Sequence, residues 1–392
     1  MNTEMFKYIK DKIYWCAIVP LFGFLFRFFP INKNKIFFDN FGGKGYADNP
    51  KYIAEEIANR ALNIRMVWVV GKRIQTSSFP KYINTVKQGT LRELFERSTS
   101  GMWVDNIRSL HPVKKRRGQL YLQTWHGSFS PKKVEKDAES QLNIHYCQEA
   151  KYDGSITDAI LVNSELLEKQ YRRAFWLSEN TEYLRVGLPR YDFLVKNGSN
   201  HKYISALKKK LGIDSNTYIV LYAPTFRDDE SVDGYKIDYN KIISAFKKKV
   251  NKDVLLIVRM HPNASKYVET IKFDDRIING SLIPDLQELS ILSDCVITDY
   301  STSLYDFILL KRPIFICALD LDHYQDLRGL LPEYFDLPFR INTSNEELIE
   351  TIETFEEFEY FKRVDNYFTV HPMYDDGEAS ARVVDWIERK MH

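Results

Sequence analysis

Short apolar runs, each closed by polar or glycine-rich sequence and separated by stretches with apolar positions three or four apart, recur along the chain after Pro30. Residues 36–40 (IFFDN) form the first such run and end in Gly42-Gly43-Lys44-Gly45-Tyr46. Residues 50–62 follow with helical spacing at Ile53, Ile57 and Ala61, and residues 66–70 (MVWVV) are the next strand. Strand, helix and strand in that order open a parallel α/β sheet. The runs at 102–105, 120–124, 159–163 and 183–186 continue it. The second half repeats the pattern at 218–222, 254–259, 276–278, 295–298 and 314–317, after a lysine-rich polar stretch at 196–210. A last helix is predicted over 377–390, with Ala381, Val384 and Ile387 on its apolar side. The pattern therefore predicts two doubly wound α/β domains, 31–195 and 196–392, behind an N-terminal segment of residues 1–30. Open parallel sheets bind ligands at the carboxyl ends of their strands, so two such sheets facing each other create a central cleft.

Residues 13–29 (IYWCAIVPLFGFLFRFF) are the most apolar stretch and follow Lys7, Lys10 and Lys12. A cleaved signal peptide needs small residues after its apolar core, and Phe-Arg-Phe-Phe-Pro excludes one. A spanning helix takes about 20 apolar residues, whereas this run is shorter and contains Pro20, Gly23 and Arg27. The preferred reading is a monotopic segment, with Tyr14, Trp15, Phe22 and Phe26 at headgroup depth and Lys12 and Arg27 against lipid phosphates. A single span and a helix buried in the following domain stay open.

Length, 392 residues, suits two domains of similar size, and 44% hydrophobic with 28% charged residues is a globular composition. The 55 Lys and Arg against 53 Asp and Glu leave a net charge of +2, too balanced for a nucleic-acid partner held by a dominating positive field. Aromatics, at 14%, suit stacking pockets and membrane interfaces as well as cores. Cys16, Cys147, Cys295 and Cys317 form no CxxC pair, which predicts buried free thiols in a reducing compartment rather than a zinc site or disulfides.

Three motifs carry chemistry. Gln123-Thr124-Trp125-His126-Gly127 follows a strand and precedes Lys132 and Lys133. A histidine at a strand tip beside a cleft can take a proton from an alcohol near neutral pH; the alternatives are a loop-capping histidine and a solvated lysine face. Arg259-Met260-His261-Pro262 ends another strand, in the second domain. Two histidines on opposite lobes can clamp one reacting phosphate, one as base and the other donating to a phosphoryl oxygen or leaving group, although His261 can also be a turn residue before proline. Third, the strand at 295–298 runs into Asp299, Ser301, Thr302 and Ser303 and then a helix. Free N–H groups and hydroxyls there suit a diphosphate, or form an ordinary N-cap, and Asp306 one turn in can accept from ribose hydroxyls. The block YAPTFRDD adds Thr225 and Arg227, the latter able to hold a phosphate bidentately. Arg227 and Arg190 can equally pair with their neighbouring aspartates. Asp228-Asp229 and Asp375-Asp376 read as solvated acidic turns more readily than as metal carboxylates, and there is no GxxxxGK[ST] or HExxH.

With these residues in order, the chain resembles the CDP-glycerol glycerophosphotransferase family, enzymes of teichoic acid and related capsule synthesis. The likeness runs from about residue 35 to 387 and is carried by NFGGKGYADNPKYIAEEI, YLQTWHGSFSPKKVEKD, YRRAFW, VGLPRYDFL, LYAPTFRDD, VRMHP, DLQELSILSDCVITDYSTSLYDFILLKRPIF, YQDLRGL and DDGEASARVVDWI. The resemblance implies a GT-B-like fold, two parallel-sheet domains facing a central cleft, and peripheral attachment to the cytoplasmic face of the membrane. It implies transfer of glycerol phosphate from CDP-glycerol to a hydroxyl of a lipid-linked or polymeric glycan acceptor, with release of CMP. By the same likeness His126 and His261 fall on the family's catalytic pair, the 299–303 turn on its nucleotide-phosphate site, and Arg227 in a block associated with the cleft. Cationic side chains and a helix start can neutralise the diphosphate, so no metal or other cofactor is invoked. Where many members have a Thr-Pro-Leu-type loop after the TWHG block, this chain has Ser128-Phe129-Ser130-Pro131, which leaves the acceptor open. CDP-ribitol or a nucleotide-sugar remains an alternative donor on the same architecture. A non-catalytic scaffold that binds a polyanionic glycan is the alternative of another class, and it leaves two strand-tip histidines unexplained.

Overall fold

The computed structural model describes residues 14–108, 111–261, 264–283 and 285–391. Seven strands build the first sheet: β1 (Asn32–Asp39), β2 (Arg65–Val70), β3 (Ile83–Lys87), β4 (Ser100–Asp105), β5 (Leu120–Gln123), β6 (Ala159–Val162) and β7 (Glu182–Arg185). Their order is β3-β2-β1-β4-β5-β6-β7, and every neighbouring pair is parallel. Six strands build the second: β8 (Tyr218–Tyr222), β9 (Val254–Val258), β10 (Ile277–Asn279), β11 (Cys295–Thr298), β12 (Ile314–Cys317) and β13 (Ile341–Asn342), in the order β10-β9-β8-β11-β12-β13 and again all parallel. Each sheet reverses its winding at its first strand, and the loops leaving the carboxyl ends there are where such folds place ligands.

The strands are continuous apolar runs because both sheet faces are covered. Ile36 and Phe38 point to one side with Trp68, Met102 and Val104, while Phe37 points to the other with Val67, Trp103 and Tyr121. Two edge strands lie outside the sequence expectations. In β3 only Ile83 and Val86 are buried, so its pattern lacks an apolar run, and β13 has just two residues.

The terminal helix, Ala379–Met391, returns to the first lobe, where Val383, Val384 and Ile387 share a core with Ile53 and Ile57. Arg60 fixes it through Asp385 (2.6 Å) and Glu388 (3.2 Å). The helix Pro189–Asn197 runs across the boundary drawn at 195/196. Of the acidic turns, Asp376 is exposed and bonds Arg382 at 2.9 Å, while Asp375 is half-buried and tied into the fold. It accepts from the Leu188 N–H (2.7 Å) and Asn163 Nδ2 (2.8 Å), and burial raises its pKa to about 7.

The N-terminal segment corrects an expectation. A π-turn (Tyr14–Ile18), the helix Val19–Leu25 and a 3₁₀ turn (Phe26–Phe28) follow one another. Val19 is buried in the first lobe with Phe22 and Phe26 packed against the same cluster, and Phe26 meets Phe95 edge-on at 5.4 Å. Phe22 and Phe26 therefore face protein, not lipid, and the outward residues are Leu21, Phe24 and Phe28, at 54%, 60% and 75% exposure. Lys7, Lys10 and Lys12 lie outside the described residues, and among those described no helix is long and apolar enough to cross a membrane. Cys147, Cys295 and Cys317 are buried free thiols as expected, but Cys16 is exposed.

Candidate active site

The strand β5 delivers Thr124, Trp125 and His126 to the cleft, and Trp125 takes a left-handed backbone (φ 51°) that turns the chain there. Gln123 Oε1 accepts from the Trp125 N–H at 2.9 Å and holds the turn. His126 Nδ1 is 2.7 Å from the Asn106 carbonyl, which can only accept, so Nδ1 carries the proton and Nε2 keeps its lone pair. Asn106 is tied in turn, accepting from the Phe41 N–H (2.8 Å) and donating to Asn40 Oδ1 (2.9 Å). The Trp125 and Phe41 rings flank the imidazole at 4.3 and 5.4 Å. Burial lowers the His126 pKa below its usual 6.5, against the pull of the Asn106 carbonyl and the Asp48 carboxylate. The ring is therefore neutral at physiological pH, as a base must be.

The lobes are stitched together around this loop. Arg190, buried at the start of the helix Pro189–Asn197, donates to the His126 carbonyl (2.8 Å), to Asp48 (2.9 Å) and, in the second lobe, to Asp306 (3.3 Å). It does not pair with Asp192, which instead accepts the N–H groups of Ala379 and Ser380. A Cβ on Gly127 would lie 2.7 Å from Thr302 Oγ1, so glycine permits this close approach of the 299–303 turn. Beyond it, Lys133 N–H donates to the Gly329 carbonyl (2.9 Å) and Leu331 N–H to the Pro131 carbonyl (2.8 Å). The Lys133 side chain lies over Gly329.

The strand β9 presents His261, solvent-exposed and stacked on Phe226 at 5.6 Å. Its carrier is braced where Arg259 donates to the Gly280 carbonyl (3.0 Å) and Met260 N–H to Ser281 Oγ (3.0 Å). The His261 pKa is pushed down to about 4 by partial desolvation and then by the positive fields of Lys132, Lys44, His126 and Arg259. The two imidazoles thus share one field across the cleft. Lys132, half-buried between the lobes, has its pKa lowered to about 8 by burial and by Arg328.

Four expected substrate contacts are overturned. Arg227 has no exposed surface: Nε and Nη2 donate to Asp320 (2.6 and 2.8 Å), and Nη1 to Asp299 (2.8 Å) and the Thr225 carbonyl. Tyr235, Tyr300 and Tyr324 enclose the guanidinium. A guanidinium so saturated has nothing left for a phosphate. Asp299 is consumed likewise by the N–H groups of Thr225 (2.8 Å) and Tyr300 (2.6 Å), and the Thr225 hydroxyl is sealed from solvent. Asp306 accepts from Arg190, Gln287 (3.3 Å) and Ser290 (3.2 Å) and is fully buried, out of reach of a ribose. These residues are the frame under the 299–303 turn. Ser301 and Thr302 are half-buried beside the His126 loop, and Ser303 is buried with its N–H (3.2 Å) and hydroxyl (3.0 Å) against Ser301 Oγ. Ser303 makes no side-chain cap, and its helix, Leu304–Leu309, has only six residues. The structure thus brings together His126, His261, Lys132 and the Ser301–Thr302 hydroxyls, with Lys133 at their edge. Among the described residues no cluster of three His, Cys, Asp or Glu offers a metal site.

Asn106 is the residue that sequence reading missed, and Arg190 was named there only as a partner for its neighbouring aspartate. Asn106 acts mainly through a carbonyl, which any residue has, and Arg190 acts across the lobes.

A family model described as CDP-Glycerol:Poly(glycerophosphate) glycerophosphotransferase matches residues 21–389. The teichoic acid poly(glycerol phosphate) polymerase of Staphylococcus epidermidis is 30% identical over 370 residues, which cover 92% of this chain and 51% of that one. This chain thus spans about half of that relative's length. The polymerase of the same name from Bacillus spizizenii is 28% identical over 400 residues, covering 96% of this chain and 99% of the other. Among solved structures, a histidine-to-alanine variant of the wall teichoic acid polymerase TagF superposes with a TM-score of 0.83 at 27% identity, over 100% of this chain and 99% of that one. A histidine-to-asparagine variant soaked with CDPG gives 0.83 and 27%, over 100% and 98%.

Proposed function

Because the chain belongs to the CDP-glycerol:poly(glycerophosphate) glycerophosphotransferase family, we propose that it transfers glycerol phosphate from CDP-glycerol to a hydroxyl of a teichoic acid acceptor, with His126 as the base. The observation that carries this reading is the His126 tautomer, fixed by the Asn106 carbonyl at 2.7 Å with Nε2 unprotonated. An acceptor hydroxyl gives its proton to Nε2 and its oxygen attacks the β-phosphorus of CDP-glycerol. The bond from that phosphorus to the bridging oxygen breaks, and CMP leaves with the electron pair. His261, neutral at pH 7, donates a hydrogen bond to a phosphoryl oxygen. Lys132, Ser301 and Thr302 face the charge that develops on the departing CMP, the kind of preorganised stabilisation that phosphoryl transfer needs. Purified enzyme given CDP-glycerol, CDP-ribitol and UDP-sugars with a lipid-linked acceptor tests the donor: CMP release confined to CDP-glycerol supports the reading, and UDP release or preference for CDP-ribitol rejects it.

The pH dependence follows from two groups. Only neutral His126 accepts a proton, and its pKa lies below 6.5, so kcat/KM for CDP-glycerol falls on the acid side of that value. Lys132 carries its charge below about 8 and loses it above, so a second limb descends on the alkaline side. Lys132→Arg keeps its charge throughout and is expected to remove the alkaline limb while leaving the acid one; an unchanged alkaline limb would acquit Lys132.

We further propose that the protein docks on the cytoplasmic face of the membrane through Leu21, Phe24, Leu25 and Phe28. Support comes from their exposure next to Arg27 and from Arg116, which donates to the Phe29 carbonyl at 2.9 Å and so adds a second cation beside the apolar face. Apolar area with flanking cations is what an anionic interface binds. Replacing Phe24 and Phe28 together by serine is expected to weaken co-sedimentation with anionic vesicles by at least about tenfold, since each buried ring contributes about 1.5–3 kcal/mol. Unaltered sedimentation would place the contact elsewhere.

A further inference from the structure

Two loops meet at the base, and one buried amide holds both. The strands β4 and β5 stay in register as far as Asp105 and Gln123, and the Thr124 N–H still donates to the Asp105 carbonyl at 2.8 Å. Past that bond the chains part: one carries Asn106 and Ile107, the other Trp125 and His126. The Gln123 side chain, with no exposed surface, spans the gap between them. Its Oε1 accepts from the Trp125 N–H (2.9 Å), and its Nε2 donates to the Ile107 carbonyl (3.0 Å). Trp125 and Ile107 are the immediate neighbours of the two partners in the His126–Asn106 hydrogen bond.

The amide has one workable orientation. Nε2 also donates to the Tyr121 hydroxyl oxygen (2.9 Å), whose own proton goes to Asp153 (2.8 Å), a carboxylate ion-paired to Arg108 at 2.5 Å. Turned over, the amide would set an NH₂ against the Trp125 N–H and an oxygen against the Ile107 carbonyl, losing every one of these bonds. Trp125 needs such a hold, because its left-handed backbone, φ 51°, is one that a bulky side chain rarely adopts. A neutral imidazole carries its proton on either nitrogen, and the bond made by one nitrogen decides the state of the other. The spacing of the two loops therefore sets the tautomer of His126.

We propose that Gln123 is a positioning residue for the transfer: by gripping the neighbours of Asn106 and His126 it keeps the Nδ1 proton on the Asn106 carbonyl and so leaves Nε2 free to act as the base. The use made of that nitrogen rests on the transferase reading above, whereas the tautomer itself is read without turnover. A glutamine suits the task because one planar group offers an acceptor to the loop that has a spare N–H and a donor to the loop that has a spare carbonyl.

The test uses the full chain with CDP-glycerol and a lipid-linked acceptor, and two variants that nearly keep the side-chain volume. Gln123→Met loses both bonds, while Gln123→Glu still accepts from Trp125 but as a carboxylate cannot donate to Ile107. Each is expected to lower kcat by about ten- to a hundredfold, the cost of a misplaced catalytic group, with KM for CDP-glycerol changed less than about twofold. The deciding readout is the nitrogen-15 spectrum of histidine-labelled protein, in which His126 is picked out of the eight histidines by its loss in His126→Asn. In the wild type its Nδ1 should be protonated and its Nε2 bare; in both variants the signals should move toward the Nε2–H form. A purely structural amide would lower stability and leave the tautomer alone, so a slowed variant still protonated at Nδ1 overturns the assignment, as does an undiminished kcat or a wild-type proton on Nε2. Should Gln123→Met not fold, Gln123→Glu carries the test; failure of both to fold makes the amide a requirement of the lobe and equally overturns it. Failure of the transferase reading looks different, because the wild-type chain would then release no CMP from CDP-glycerol while the His126 signals still answer for Gln123.

Discussion

Replacing His126 with alanine is expected to cut CMP release in the presence of acceptor by about 10²–10⁴-fold, the contribution usual for a positioned general base. KM for CDP-glycerol should change little, because the imidazole acts on the acceptor proton only as the transition state forms. The acid limb of the pH profile should vanish with it, since the protonation that lowers activity below 6.5 belongs to this ring. His126→Asn sharpens the test: an amide can still donate to the Asn106 carbonyl, now held at 2.7 Å from Nδ1, but has no basic nitrogen, so it should be as slow as alanine. Near-normal turnover by either variant, measured as CMP formed per enzyme with a lipid-linked acceptor, would take the base role away from His126.

Much of this site was legible because parallel α/β sheets place function where an apolar run stops. His126, His261 and Ser301–Thr302 all stand just past β5, β9 and β11, where a strand-end rule looks, and the folded chain brings Gly127 against Thr302 and His126 into the field at His261. The same rule failed for Arg227 and Asp299, one after β8 and the other after β11. Both stand at strand ends, but the folded chain turns them against each other at 2.8 Å beneath the surface. Sequence position says that a charged residue is near a cleft and not which side of the wall it occupies; for Arg227 that depends on partners such as Asp320, 93 residues further on, and Tyr324. The facing of Phe22 and Phe26 in the N-terminal segment failed for a related reason. Its apolar positions suit a lipid surface and a protein surface equally, and the choice of Phe22 and Phe26 as the inner face was made by Val19 and Phe95.

That buried guanidinium supports the second large effect. Arg227→Ala leaves two carboxylates, Asp299 and Asp320, facing each other without their cation in a pocket walled by Tyr235, Tyr300 and Tyr324. Breaking a buried pair by removing one partner costs about 3–5 kcal/mol, read as a loss of stability of the second lobe in chemical denaturation. Arg227→Lys should lose much of the same, because one ammonium cannot reproduce the two parallel bonds to Asp320 at 2.6 and 2.8 Å. Donor binding should fail along with folding, since Asp299 holds the Tyr300 N–H (2.6 Å) at the root of the Ser301–Ser303 turn. A phosphate ligand would behave in the opposite way, raising KM for CDP-glycerol in a protein of unaltered stability. Arg227→Ala with intact stability and a raised KM would therefore put the arginine back in the cleft.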